Sequence, residues 1–313
     1  MEIILLGEKF SIPHYSRSIA SVAVRFDNYN ELCLFECGEG TQNYLLHSCL
    51  KNKQIKRVII SELNSNCCLG MVGLLATFSL NERISSLEVH GPEGFCKYLR
   101  LFSRYSQTNF SYPIKIFPVK TGTICQFSDY QIIATSLKSF PDIFGYSIIE
   151  QEKPGKFQIS KAQSLKIPSG PIYGHLKKKE KFILSNGFVI NGQNLCDKPR
   201  QGRKFTYLTR VNYNRSMVEL AWKADILLIN PNIAHLNPQT YLEYQVISSQ
   251  MGRQIFEESE IRYLINLNFK ENAKRINSMI YFFQWYQNKI KQSSCKLTYP
   301  FVFKITSNYL IEL

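Results

Sequence analysis

The sequence predicts a mixed α/β fold, and three observations carry that prediction. Short apolar runs rich in β-branched residues alternate with segments of helix length through the first half of the chain. The same alternation resumes after residue 204. At 313 residues and 44% hydrophobic content, the chain is long enough to bury one large core or two modest ones.

Taken in order, residues 1–7 read as a strand and turn. Apolar runs bounded by turn signals place strands at residues 21–26, 32–35, 57–60, 87–90 and 131–135. Between them, residues 40–50, 69–80 and 94–105 have the length and periodicity of helices. Strands are expected again at residues 204–208, 226–230 and 263–267, with helices at 215–223, 238–258 and 273–288. Residues 151–205 differ in character: polar, basic and punctuated by Lys153-Pro154-Gly155, Pro168-Ser169-Gly170-Pro171 and Ser185-Asn186-Gly187. That stretch predicts an insertion projecting from the body. It holds twelve Lys and Arg against three acids, a net +9 of the chain's +14. So dense a cationic surface, interleaved with Gly, Pro and aromatics, asks for an anionic partner.

No stretch approaches the roughly 18 to 20 uncharged apolar residues that a membrane span needs, so no membrane partner is expected. Residues 1–7 do not resemble a signal peptide. Nine cysteines without a framework spacing suit a reducing, intracellular compartment. Abundant Ile, Asn and Lys suggest an A/T-rich coding genome such as a plastid's. The expected location is the plastid stroma if the gene is organellar, and otherwise the cytoplasm.

Several motifs resemble one family. Leu34-Phe35-Glu36-Cys37-Gly38-Glu39-Gly40-Thr41-Gln42 is similar to the turn Phe-Asp-Cys-Gly-Glu-Gly-Thr-Gln of ribonuclease Z, a tRNA 3′-endoribonuclease family of the metallo-β-lactamase superfamily. Met71-Val72-Gly73-Leu74-Leu75-Ala76-Thr77, Gly91-Pro92, Ser111-Tyr112-Pro113, Phe144-Gly145-Tyr146 and Gly202-Arg203-Lys204 extend the match. Ile167-Pro168-Ser169-Gly170-Pro171-Ile172-Tyr173-Gly174-His175-Leu176-Lys177 resembles the family's tRNA-gripping arm, or exosite. The resemblance implies a short-form member: one metallo-β-lactamase αββα sandwich over residues 1–313, with the arm inserted at 151–205.

It also implies a zinc-dependent hydrolase chemistry whose residues are replaced here. The family's loop Thr-His-Leu-His-Gly-Asp-His gathers ligands for two zinc ions, which activate a bridging water. In this chain it reads Ser61-Glu62-Leu63-Asn64-Ser65-Asn66-Cys67. The ligand positions are therefore held by Glu62, Asn64, Asn66 and Cys67, and further along by Ser139, Arg210 and Asn268. The position of the His that assists the leaving group is held by Val246, and Asn66 stands at a catalytic position. The five histidines, His14, His47, His90, His175 and His235, fall elsewhere. Asn64, Ser139 and Asn268 are poor zinc ligands, and Arg210 puts a permanent cation where the family holds two metals. No cofactor is expected in this chain, although zinc serves the family. Arg210 is expected to fill the cavity and pair with Glu62 or Glu36. Cys33 and Cys37 read as buried small hydrophobes. Cys67-Cys68 lacks the neighbouring His that a nucleophile needs.

The arm keeps its sequence. Gly170, Pro171, Tyr173, Gly174 and Lys177 carry over as contacts or shape-setters, and Lys177, Lys178, Lys179 and Lys181 would meet phosphates. Tyr173 reads either as packing within the arm or as a stacking platform. Three functional readings follow: a catalytically inactive pseudoenzyme that binds tRNA or precursor tRNA, an active tRNA 3′-endoribonuclease removing the 3′ trailer, and a decaying copy without a task. The resemblance further implies a homodimer, or a mixed dimer with an active ribonuclease Z, through residues 40–50 and 69–80.

Overall fold

The computed structural model describes residues 1–6, 21–26, 31–48, 50–139, 142–152, 155–178, 180–183, 187–199, 201–209, 214–230, 251–252, 254–266, 301–305 and 310–312. It divides into two compact units. The first comprises residues 1–127, 131–149 and 204–313; the second comprises 128–130 and 150–203.

The first unit opens with β1 (Glu2–Leu6), β2 (Ser21–Arg25) and β3 (Leu32–Phe35), an antiparallel meander. Helix α1 (Thr41–Leu46) then leads to β4 (Ile55–Ile59), and the short α2 (Ser65–Cys68) and α3 (Met71–Leu80) lead to β5 (Leu87–Gly91). After α4 (Phe95–Ser106) comes β6 (Ile114–Pro118), so β3 to β6 run parallel, as helical crossovers require. A second sheet starts with β7 (Gly122–Gln126), β8 (Tyr130–Ser139) and β9 (Asp142–Glu150). Within the second unit lie α5 (Ile159–Ser164), α6 (Pro171–Lys177) and the hairpin of β10 (Lys181–Ile183) with β11 (Val189–Asn191). The first unit resumes with β12 (Lys204–Leu208), α7 (Arg215–Ala221), β13 (Ile226–Ile229) and β14 (Tyr263–Asn266), and ends with β15 (Phe301–Ile305) and β16 (Leu310–Glu312). The strand orders are β16-β15-β1-β2-β3-β4-β5-β6 and β14-β13-β12-β9-β8-β7.

The central strands of each sheet, such as β1, β3, β12 and β13, are buried on both faces, which is why they read as continuous apolar runs, whereas β6 and β7 are largely exposed. From the first sheet, Ile4, Leu6, Ala23, Leu32, Leu34, Val58 and Val89 pack against α1, α3 and α4. Its other face meets the second sheet, where the Phe35 ring lies 5.9, 6.1 and 5.4 Å from those of Tyr146, Phe205 and Tyr207. Beyond the second sheet, Leu208, Leu227, Ile229 and Leu264 pack against Met217, Leu220 and Ala221 of α7 and against Ile255. The layers are therefore helix, sheet, sheet, helix.

Most sequence readings fall on observed elements, with shifted ends. The expected helix at 69–80 begins at Met71 because α2 and the close-packed Gly70 precede it. The helix expected at 40–50 stops at Leu46. Residues 231–250, the expected helix at 273–288, and Lys179, Arg210, Val246 and Asn268 lie outside the described residues.

The second unit has its own small core, in which Ala162, Ile167, Leu176, Ile190 and Leu195 are buried beneath Phe157, Tyr173 and Phe182. At its root, Arg203 grips the Glu150 carboxylate with two hydrogen bonds of 2.6 Å, and the Glu150 N–H donates to the Arg203 carbonyl at 2.9 Å.

Candidate functional site

At the end of β4 the chain turns through Ser61, Glu62, Leu63 and Asn64 into α2. Hydrogen bonds of its own and of its neighbours hold this loop. Ile60 N–H donates to the His90 carbonyl at 2.8 Å, and Phe144 N–H donates to the Ser61 carbonyl at 3.0 Å, tying the loop to both sheets. The Asn64 side-chain oxygen accepts from Cys67 N–H at 2.9 Å, the geometry of an Asn that caps a helix start. The Cys68 thiol donates to the Asn64 carbonyl at 2.9 Å. Cys37 N–H donates to the Cys67 carbonyl at 2.7 Å, and Gly70 N–H to the Cys37 carbonyl at 2.9 Å.

Behind the loop sits Glu36, fully buried, on backbone with φ of 61°. Its two carboxyl oxygens accept from Ser61 N–H at 3.1 and 3.3 Å. Burial nevertheless dominates and pushes its pKa up to about 8, with neighbouring Glu62 adding to the rise. Glu62 is itself buried. The floor is made by two buried phenols: Tyr146 OH donates to the Ile60 carbonyl at 2.8 Å, and Tyr207 OH accepts from Asn230 Nδ2 at 3.3 Å. Burial, reinforced by Glu36, holds both phenols well above their ordinary pKa. Burial also raises the Cys68 thiol to about 11, so it is no thiolate at neutral pH. Cys33 and Cys37 are buried, their thiols pushed up by desolvation.

Of the ligand positions, Glu62, Asn64, Asn66 and Cys67 lie together on this loop and α2, and Ser139 is the last residue of β8. Among the described residues, no group of three or more His, Cys, Asp and Glu side chains is placed to hold a metal ion. The sequence reading missed the capping role of Asn64. An Asn three residues before Cys67, opening a short helix, is the signal that identifies it.

In the second unit, Gly170 has φ of 155° and precedes α6, whose first residue is Pro171. Tyr173 packs inward: its ring lies 5.0 Å from that of Phe157, and its hydroxyl donates to the Ile167 carbonyl at 3.2 Å. Gly174 is exposed on α6 with open space around its Cα. Lys177 and Lys178 are exposed at the end of α6, and Lys181 is exposed at the start of β10.

No protein-family model matches the chain. Solved structures share its fold, two of them as follows. Human tRNase Z, short form, aligns with a TM-score of 0.58 at 20% identity over 86% of this chain and 93% of that one. The metallo-β-lactamase-fold protein YhfI from Bacillus subtilis aligns with a TM-score of 0.52 at 10% identity over 86% and 88%. The two sheets and their flanking helices are thus a metallo-β-lactamase fold. Ribonuclease Z of Cyanothece sp. (strain PCC 7425) is 38% identical over 255 residues, 82% of this chain and 80% of its own length. The chain belongs to the ribonuclease Z family.

The donor set can be tested against the dizinc centre that the resemblance implies. Zinc takes imidazole, thiolate and carboxylate, about four donors in a closed site. Here the Asn64 oxygen is engaged by Cys67 N–H, and Asn64 and Asn66 carry amides where such a loop needs imidazole or carboxylate. These residues do not fit a dizinc centre.

Proposed function

We propose that this chain is a ribonuclease Z-like protein of tRNA 3′-end processing that binds tRNA or precursor tRNA and does not cleave it. The observation that carries this reading is the loop after β4, where an Asn64 cap and backbone hydrogen bonds stand in place of convergent metal donors. Binding is assigned to the arm at residues 151–205, through Gly170, Pro171, Gly174 and the cations Lys177, Lys178, Lys179 and Lys181. Tyr173 shapes the arm from within, as its contacts with Phe157 and Ile167 support. The second reading is an active tRNA 3′-endoribonuclease, with which the name of the Cyanothece relative is equally consistent.

Purified protein is assayed for zinc and for cleavage of a precursor tRNA. The proposal expects neither; about two zinc ions per chain together with trailer removal would establish the second reading. Replacing Lys177, Lys178, Lys179 and Lys181 by Ala should weaken tRNA binding and lower the slope of log affinity against log salt by a few units, at about 0.7 to 0.9 per phosphate. Unchanged affinity removes the arm from the account.

A symmetric dimer through α1 and α3 fits the exposed Leu46, Leu69 and Leu80 and the absence of charge in α3. The same face would accept an active ribonuclease Z as a mixed partner. No helix among the described residues is long and apolar enough to cross a membrane. A plastid location draws support from the composition and from the cyanobacterial relative.

A further inference from the structure

Helix α4 carries Lys97, Arg100 and Arg104 and no acidic residue. All three cations are exposed, and among the described residues none forms an ion pair or a side-chain hydrogen bond. At 100° per residue they share one face, directly opposite the buried Phe95 and Leu99. Leu101 and Tyr105 lie beside them, 43% and 80% exposed. Helix stability does not explain the pattern. Arg104 in the last turn complements the helix dipole, but Lys97 stands in the first turn, at the positive end, where a cation is disfavoured. The helix also starts at the loop described above: a Cβ on Gly94, which caps α4, would lie 3.3 Å from Leu63 Cδ1. Lys97 is therefore one turn from the loop, and the row runs away from it for about 10 Å.

We infer that the outer face of α4 is a second RNA-binding surface, holding the phosphate backbone of the strand that reaches the loop. This rests on the tRNA-binding reading and adds to it a contact separate from the arm. Lys97, Arg100 and Arg104 meet successive phosphates without reading sequence, and Tyr105 and Leu101 lie against sugar or base at the edge of the row.

The test uses the full chain and two RNAs: a precursor-tRNA transcript, and an acceptor-stem minihelix with a 3′ trailer and no elbow. Replacing Lys97, Arg100 and Arg104 by Gln preserves helix propensity. It should weaken minihelix binding and lower the log–log salt slope by about 2 to 3. The pair Arg100→Lys and Arg104→Lys should retain that slope, since phosphate contact needs charge rather than shape. Lys97→Glu alone should raise thermal stability, because an acid suits the first turn, and yet weaken minihelix binding; a merely structural role predicts no such opposition. Unchanged minihelix affinity in the folded triple variant overturns the α4 surface while transcript binding leaves the tRNA reading standing. A parent chain that binds neither RNA overturns both. Loss of binding to phosphatidylserine vesicles with no change on the minihelix reassigns the face to membranes and also overturns it.

Discussion

His90 and Glu36 are buried titratable side chains displaced in ways that make stability depend on pH with opposite signs. His90, stacked on Phe117 with ring centroids 5.0 Å apart and with Nε2 3.5 Å from Cys125 Sγ, has its pKa lowered by burial. Below its ordinary value of 6.5 the unfolded chain takes up a proton there that the folded chain resists, so this contribution is lost as pH falls. Glu36 is raised from 4.5 to about 8. Across that window the folded chain keeps a proton that the unfolded chain has released, so stability is lost as pH rises. Urea unfolding across pH separates the two: Glu36→Gln should gain on the parent from pH 4.5 to about 8, and His90→Gln should gain below 6.5. A constant offset at all pH values for either variant would falsify that assignment.

At the scale of elements, glycines with opposite surroundings make opposite predictions. A Cβ on Gly70, which precedes α3, would fall 1.9 Å from the Gly38 carbonyl oxygen. Gly70→Ala should destabilise by about 3 kcal/mol or more, because backbone rather than a flexible side chain must yield. Gly174 in α6 has open space, and Gly174→Ala should stabilise by about 0.5 to 1 kcal/mol through helix propensity. If Gly174 lets a phosphate approach the backbone, the same variant loses tRNA affinity while gaining thermal stability. Equal or improved affinity would leave Gly174 a shape-setter only. The elements most legible in the sequence are those with one periodicity and clear turn residues, such as β3, β5 and α4. Strand β9 was not, because its run from Ile143 to Ile148 is buried throughout and its centre is Gly145, where a Cβ would meet Leu208 Cδ2 at 2.7 Å. Four-residue α2 is too short for periodicity. At the site, the residue types at the ligand positions were plain only through the loop's resemblance to the ribonuclease Z motif. The Tyr146 and Tyr207 floor was not, since it arises from contacts between segments distant in sequence; the Asn64 cap is local, and it was missed because it opens a helix too short to show a period.

For the whole molecule, the chain enters the second unit from β9 and leaves it into β12, and these strands pair, with Lys204 opposite Ile149. Excising residues 151–202 and joining the ends by a short Gly-Ser turn closes a hairpin that the pairing already sets. The shortened chain should keep cooperative thermal unfolding, lose most tRNA affinity, and shed +7 of its +14 charge. Loss of cooperative unfolding would show that the body depends on the excised residues. The Asn64 cap has a consequence for how the protein matures. A loop whose shape depends on bound ions is finished only when those ions are delivered, so its folding is linked to their supply. Here the polypeptide completes that turn from its own amides and carbonyls. Thermal unfolding with excess chelator should superimpose on unfolding without it, and newly made chain should reach its final form in a metal-starved compartment as readily as in a replete one.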